Sequence, residues 1–348
     1  MQSAPTRIFR KMPKKYLKKW PAFLLLTLAV ILVLTFLNRP PENKNQAPSS
    51  IFSDKSFTSY AQFAKQNGPQ KAYQLLKENF PDNNPFAHDF AHVIGITAYE
   101  QNGPQGLGIC DTAYNYGCYH GFIETFLVKK GIGAILEIEK NCSALGSVHA
   151  PSCLHGIGHG VLANRAYKLT EALEDCDIMQ EKNRIYCWDG VFMERVTGSM
   201  QNAKDRVVIT NETLFEPCNQ IGGIYKGQCW RNQVTSWLTF FKRDTQEVGN
   251  MCLKIEKEHQ ATCFESIGLA NVMWAQEDQI KLLNLCKILP NGNYSNECLI
   301  GELKELLFEG KSASIAQNLC NYVSRLAKQE CLSTFNQQRD QSRARFGS

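Results

Sequence analysis

The apolar and polar positions divide the chain into a short N-terminal part and a long repetitive one. Trp20 to Leu37 is an unbroken run of 18 residues without a charge, preceded by Arg7, Arg10, Lys11, Lys14, Lys15, Lys18 and Lys19. That length is near the lower limit for crossing a bilayer as a helix. Trp20 stands where an interfacial aromatic belongs, and the basic side of such a span stays in the cytoplasm. The run ends on Thr35-Phe36-Leu37, bulky residues where a cleaved signal peptide would place small ones. The pattern predicts a basic cytoplasmic tail over 1–19, an uncleaved transmembrane signal anchor over 20–37 and a linker over 38–55, Pro-, Asn- and Ser-rich between 39 and 50. An extracytoplasmic domain, in the periplasm, at the cell surface or in a secretory-pathway lumen, then fills 56–348.

That domain carries helical spacing throughout. Leu169, Ala172, Leu173 and Cys176 fall at i, i+3, i+4 and i+7, and in Ile280 to Cys286 the residues Leu282, Leu283 and Cys286 repeat the last three of those positions. Each such segment ends in a cysteine, and a second helical segment opens at the next one, as in Cys187-Trp188-Asp189-Gly190-Val191-Phe192 or Cys263-Phe264-Glu265-Ser266-Ile267-Gly268. The cysteines pair as 110/118, 142/153, 176/187, 218/229, 252/263, 286/298 and 320/331, with gaps of 8, 11, 11, 11, 11, 12 and 11. The second cysteine recurs after 35, 34, 42, 34, 35 and 33 residues. A period near 34 with two helices per unit predicts an all-α fold, an α-solenoid of helix hairpins. A further unit precedes these without cysteines: Lys71 to Asn79 matches the first helix, and Phe86-Ala87-His88 is placed where Cys118-Tyr119-His120 falls. That gives about eight units. A small residue three places after the second cysteine (Gly121, Gly156, Gly190, Ser266, Gly301) is expected to let helices approach closely.

Composition sharpens this picture in two respects. The net charge of +5 belongs to the tail: without its seven basic residues, 31 Lys and Arg face 33 Asp and Glu. The charge is therefore a topology signal, and nucleic acid is not an expected partner. All 14 cysteines lie after residue 109, on the exported side, and an even count in an oxidising compartment reads as disulfides. Two schemes suit stacked hairpins. One joins the close pairs, Cys110–Cys118, Cys142–Cys153, Cys176–Cys187, Cys218–Cys229, Cys252–Cys263, Cys286–Cys298 and Cys320–Cys331. The other joins each second cysteine to the next first one and orphans Cys110 and Cys331. The close pairing uses every cysteine and is preferred, each bridge being worth roughly 2–3 kcal/mol in the chain-entropy model. Gaps of 11 are too long for the close-spaced thiolate pairs of zinc sites.

Candidate chemistry lies in the first half, where six of the seven histidines fall between His88 and His159. Two residues after the second cysteine, the units read His88, His120, His155, Asp189, Arg231, Glu265, Ile300 and Ser333. Four residues further they read His92, Glu124, His159, Met193, Thr235, Leu269, Lys304 and Gln337. Positions i and i+4 share a helix face. His88, His92, His120, Glu124, His155, His159 and Asp189 are thus the expected ligands of one or two transition-metal ions, iron, zinc or copper. Glu124 or Asp189 would serve as ligand or general base, with Glu194 behind them. Met193 breaks the ligand pattern and could leave a coordination position open. The function expected is a metalloenzyme, oxidative chemistry ranking above hydrolysis. A solenoid scaffold holding a peptide or protein on its concave face, with structural histidines, and a metal storage or delivery protein are the alternatives. His149 is expected in a surface loop, and His259 fits no pattern. The membrane is the partner implied by the anchor.

Overall fold

A computed structural model describes residues 49–52, 57–82, 84, 86–198, 208–275, 277–290 and 292–346. The predicted tail and anchor, and most of the linker, lie outside the described residues. The chain divides into Met1–Ile51 and a second compact unit, Phe52–Ser348, and it is the second that carries the structure below. The described residues contain fifteen α-helices and no strand. None of these helices is long and apolar enough to cross a membrane.

Long and short helices alternate over 117–197 and again over 226–346. The long ones are α3 (Ala87–Asn102), α4 (Gly117–Lys130), α6 (Gly146–Asn164), α8 (Glu181–Thr197), α9 (Lys226–Phe240), α11 (Lys257–Ala275), α13 (Gly292–Phe308) and α15 (Lys328–Phe346). Each packs on the next in that order. The short ones are α1 (Thr58–Asn67), α2 (Pro69–Asn79), α5 (Ile135–Ser143), α7 (Leu169–Asp177), α10 (Thr245–Cys252), α12 (Gln279–Lys287) and α14 (Ala313–Leu319). A 3-10 segment, Gly103–Ile109, takes the short-helix place between α3 and α4. The row bends back on itself: α15 also packs on α6, and the Tyr116 ring, just before α4, lies 5.7 Å from that of Phe308 at the end of α13.

Local chemistry sets the helix ends. Asp244 and Asp278 cap α10 and α12 by accepting from Gln246 N and Glu247 N, and from Ile280 N and Lys281 N. Ser312 caps α14 through Ile315 N. These caps recur at the repeat period and satisfy donors that the first helical turn leaves open. At the other end, the backbone amides of Tyr167, Arg243 and Lys311 reach back to the carbonyls of Leu162, Leu238 and Leu306, closing α6, α9 and α13 with the same six-residue loop.

Seven disulfides join the close cysteine pairs, 110–118, 142–153, 176–187, 218–229, 252–263, 286–298 and 320–331. Each ties the end of a short segment to the early part of a long helix, with the sulfurs buried. The long helices begin earlier than expected. α8 starts at Glu181, α11 at Lys257 and α6 at Gly146, so the presumed linkers are mostly helix. α6 even accommodates Pro151 in its interior. His149 is consequently on a helix and half-buried, not in a surface loop.

The register of the first unit also differs by one helical turn. Phe86, expected at the cysteine position, is 80% exposed, whereas Phe90 is 5% exposed, in keeping with the buried cysteines of the other units. The equivalence that places Phe90 there rests on glycine. A Cβ on Gly95 would overlap the Cys118 carbonyl, and one on Gly121 would overlap the His92 carbonyl. The same reciprocal contact joins α6 to α8, where Gly158 meets Cys187 O and Gly190 meets His155 O. It joins α11 to α13, where Gly268 meets Cys298 O and Gly301 meets Glu265 O. Superposing these crossings makes His92, not His88, the counterpart of His155 and Glu265. It also corrects the close-approach positions: in α6 and α11 the contact residues are Gly158 and Gly268, five places after the cysteine, instead of Gly156 and Ser266.

Because the opposing atom at each crossing is backbone, nothing local can yield. Gly268→Ala, remote from the histidines, is expected to push α11 from α13 and destabilise the fold by about 1–3 kcal/mol. Gly133→Ala, with open space around it, should leave the thermal midpoint nearly unchanged, and equal midpoints for the two variants would refute the argument.

Candidate metal centre

Helices α3, α4 and α6 bring five histidines together. His88 and His92 lie one turn apart on α3, His120 on α4, and His155 and His159 one turn apart on α6. Two sets of three, His88/His92/His120 and His120/His155/His159, each offer nitrogens all within 4.8 Å of one another, and His120 belongs to both. In the first set the ring centroids are 4.7, 5.4 and 5.4 Å apart at 61°, 67° and 74° to one another, so three imidazoles converge from three directions. In the second, His155 and His159 are 4.9 Å apart at 53°, and His120 stacks on His159 at 4.3 Å and 25°.

The outer nitrogens are already committed. His88 Nδ1 donates to the Tyr114 carbonyl at 2.7 Å. His159 Nδ1 donates to Glu194 Oε2 at 2.9 Å, and His155 Nδ1 faces Asp189 Oδ2 at 3.1 Å. These partners fix the tautomers: each of the three rings holds its proton outward and aims the Nε2 lone pair inward. Inside, His88 Nε2 and His92 Nε2 are 3.0 Å apart, as are His155 Nε2 and His159 Nε2. His92 can donate to His88 from its own Nε2. The pair on α6 has no such solution while both rings are neutral, since both Nδ1 protons face carboxylates. Two lone pairs at that separation need an extra proton or a cation between them. Two nitrogens bound at right angles to one ion, with bonds of about 2.1 Å, stand about 3 Å apart. His120 is left with both ring nitrogens buried and without a hydrogen-bond partner. An orphaned buried polar group carries a cost of about 1–3 kcal/mol.

The cluster favours neutral imidazole. Burial and the neighbouring histidines lower His92 to about 3 and hold His120 well below the usual histidine value. Burial lowers His159 as well, against the pull of its Glu194 hydrogen bond. Neutral imidazole is the form that binds zinc, copper and iron.

The carboxylates stand one step back. Asp189, expected as ligand or base, faces His155, accepts from Asn232 Nδ2 at 2.8 Å and pairs with Arg231 Nε at 3.5 Å. Burial opposes its ionisation, but the hydrogen bond and charge of His155, with Arg231 and Asn232, bring its pKa down to about 2. Glu194 is fully buried and takes a second hydrogen bond from the Tyr167 hydroxyl at 2.6 Å. Glu124, one turn beyond His120, belongs to neither set of converging nitrogens. Its carboxyl is half-buried and raised in pKa by desolvation and by the charge of Glu194. The centre thus has a histidine inner set with Asp189, Glu194 and the Tyr114 carbonyl orienting it from behind. A third convergence, Cys286/Cys298/Glu302, offers no thiolate because the sulfurs are bonded to each other.

Unusual backbone supplies two of these outer partners. Tyr114, Asn115 and Tyr116 all have positive φ (55°, 49° and 63°), and this left-handed stretch turns the Tyr114 carbonyl onto His88. Tyr167 (φ 62°) lies in the left-handed turn after α6, from which its hydroxyl reaches Glu194. Such conformations cost roughly 1–2 kcal/mol per non-glycine residue, and they collect at functional sites. Neither tyrosine carries a signal in the sequence.

Beyond the histidines, the same face continues as an ion-pair ladder. Arg231 Nη1 lies 3.7 Å from Glu265 Oε1, and Glu265 Oε2 lies 2.7 Å from Lys304 Nζ. His259 takes no part in it. The chain matches no family model, no curated protein and no solved structure.

The lowered histidines give the metal-free fold a pH dependence. In the unfolded chain His120 takes up a proton near pH 6.5, while the folded protein resists it. Its contribution is complete above that value and is lost as pH falls below it, by about 1.4 kcal/mol per pH unit for one proton. Chelator-treated protein should therefore lose more stability between pH 7.5 and 5 than its His120→Phe variant does. The buried carboxyl of Glu302, raised by desolvation, acts in the opposite direction but equally in both proteins. Equal losses in the two urea titrations would contradict the assignment.

Proposed function

We propose that this chain is a membrane-anchored, extracytoplasmic metalloprotein that binds transition-metal ions through His88, His92, His120, His155 and His159 and uses them in redox chemistry. In this reading Trp20–Leu37 is the anchor, and the repeat array is an α-solenoid of eight units whose first four carry the site. The observation that carries the proposal is the arrangement of hydrogen-bond partners around the histidines. Nδ1 of His88, His155 and His159 is held from outside, Nε2 faces inward, and His120 has two buried nitrogens without a partner.

The ligand chemistry favours copper, with zinc next. An all-imidazole set suits both. The carboxylate-rich set of a di-iron centre is disfavoured by the engagement of Asp189 with His155, Asn232 and Arg231. Carboxylates hydrogen-bonded to ligand histidines fix the ring and raise its basicity. Seven disulfides and no free cysteine agree with an oxidising compartment. They also leave a bound copper ion no thiol of this chain to react with.

The test is metal analysis of the full-length protein purified without chelators. Copper or zinc at a stoichiometric level is expected, and near-zero metal would sink the proposal. Glu194→Gln, which removes the charge behind His159, should keep the fold and weaken metal affinity by about 10–100-fold. An unchanged affinity would mean that His159 is not a ligand.

A further inference from the structure

We infer that His120 is a shared ligand, binding two ions at once as an imidazolate, so that the centre is a dinuclear pair: one ion held by His88, His92 and His120, the other by His120, His155 and His159. The inference rests on the metal-binding reading above and gives it a number and a topology.

Three observations converge on this residue. The five histidines do not form one set. They form two sets of three, whose common member is His120. Each set has its own pair of Nε2 atoms 3.0 Å apart, His88/His92 on α3 and His155/His159 on α6, so each places two nitrogens within reach of one ion, with the His92 proton moving from Nε2 to Nδ1 as the α3 pair binds. His120 comes from α4, the helix packed against both α3 and α6. It is 4% exposed, and neither of its ring nitrogens has a protein partner. The other histidines of the cluster have at least one nitrogen engaged. A histidine serving a single ion normally gives its second nitrogen to a carboxylate or carbonyl, as His88, His155 and His159 do. Leaving both nitrogens of His120 open at the centre of the cluster is the arrangement that two ions require.

The chemistry balances without an added reagent. Neutral His120 binds the first ion through its unprotonated nitrogen. The second ion replaces the proton on the other nitrogen, which leaves to solvent, and both bonds then share one imidazolate. The ions would lie about 6 Å apart, from two bonds of ~2.0 Å set on either side of one ring. In the structure His120 stacks on His159 at 25°. Binding the second ion therefore calls for rotation of the His120 ring toward the His155/His159 pair.

Copper(II) alone is the probe, added to the metal-free full-length protein and followed by equilibrium dialysis and electron paramagnetic resonance. Two bound equivalents are expected. The bridge couples the two unpaired spins, so the integrated signal should fall on deep cooling instead of rising inversely with temperature. His120→Ala should abolish the coupling, leaving any remaining copper with the signal of isolated ions, while circular dichroism confirms its helicity. The wild-type measurement stands even if that variant does not fold. Two equivalents with uncoupled signals, or a single equivalent, would overturn the bridge and leave the metal-binding reading intact. Coupling that survives in folded His120→Ala would also overturn it. No bound copper, together with no metal in the protein as purified, would overturn both.

Discussion

The close contact of glycine with a facing carbonyl fixes the backbones of the candidate ligands His92 and His155. At three crossings, two long helices touch backbone to backbone, with the glycine of each against the carbonyl of the other. Such contacts forgo side-chain packing at the crossing and draw on Cα–H to oxygen attraction, a weak interaction of about 0.5–1 kcal/mol each. Their value is geometric. The carbonyls that meet Gly121 and Gly190 belong to His92 and His155. Two candidate ligands are therefore fixed by their own backbones at the point of nearest helix approach. The side chains around them, including His120 from α4, then converge without having to span the usual 8–10 Å between packed helices.

The repeat makes one position do two kinds of work. In structural register, the residue two places after the second cysteine reads His92, His120, His155, Asp189, Arg231 and Glu265 along successive long helices. The first three are imidazoles sharing a cluster. The next three alternate in charge, and each pairs with a neighbour: Asp189 with His155 and Arg231, Arg231 with Glu265, and Glu265 with Lys304 on α13. A half-buried charge is costly unless it is paired, and the alternation provides a partner at every step. Asp189 is the junction. It ends the ladder and at the same time orients His155, so the charge state of the later units is tied to the histidine centre through a single carboxylate.

The sequence made some layers legible and concealed others for identifiable reasons. Cysteine spacing exposed the helical class and the close pairing, because a covalent bridge between a short segment and a long helix tolerates little change in loop length. Glu194 could be placed beside the histidine cluster by its position on the face after Asp189. The first unit was misplaced by a turn because it has no cysteine, and aligning it on histidine matched His88 where His92 belongs. The Ile-Gly pairs at Ile94-Gly95, Ile157-Gly158 and Ile267-Gly268 mark the true register, but they lie five residues after the cysteine position instead of three. Asp189 and Glu124 read as ligands because a carboxylate at a helix position does not reveal which neighbour it faces. Asp189 is drawn away by Arg231 and Asn232, residues more than forty positions on. Tyr114 and Tyr167 act through left-handed backbone, which helical periodicity cannot show.

The separation of cysteines from histidines along each helix has a chemical consequence. In the second, third and fourth units a second cysteine stands two residues before His120, His155 and Asp189, on the same helix and one turn or less away. A free thiolate there would compete with imidazole for any soft or borderline ion and would reduce copper(II). With each of these sulfurs bonded to a cysteine of the preceding short segment, the bridge that holds the helix in place leaves no thiolate beside the candidate ligands. The first unit has Phe90 in the corresponding place and needs no such bridge. Scaffold and site are thus two faces of one residue pattern: the disulfides fix the long helices at their outer flank, and the glycines fix them to one another. What remains at the inner positions is a set of imidazoles in which His88, His155 and His159 are anchored through their outward Nδ1 atoms, His92 pairs with His88, and both nitrogens of His120 are without a hydrogen-bond partner.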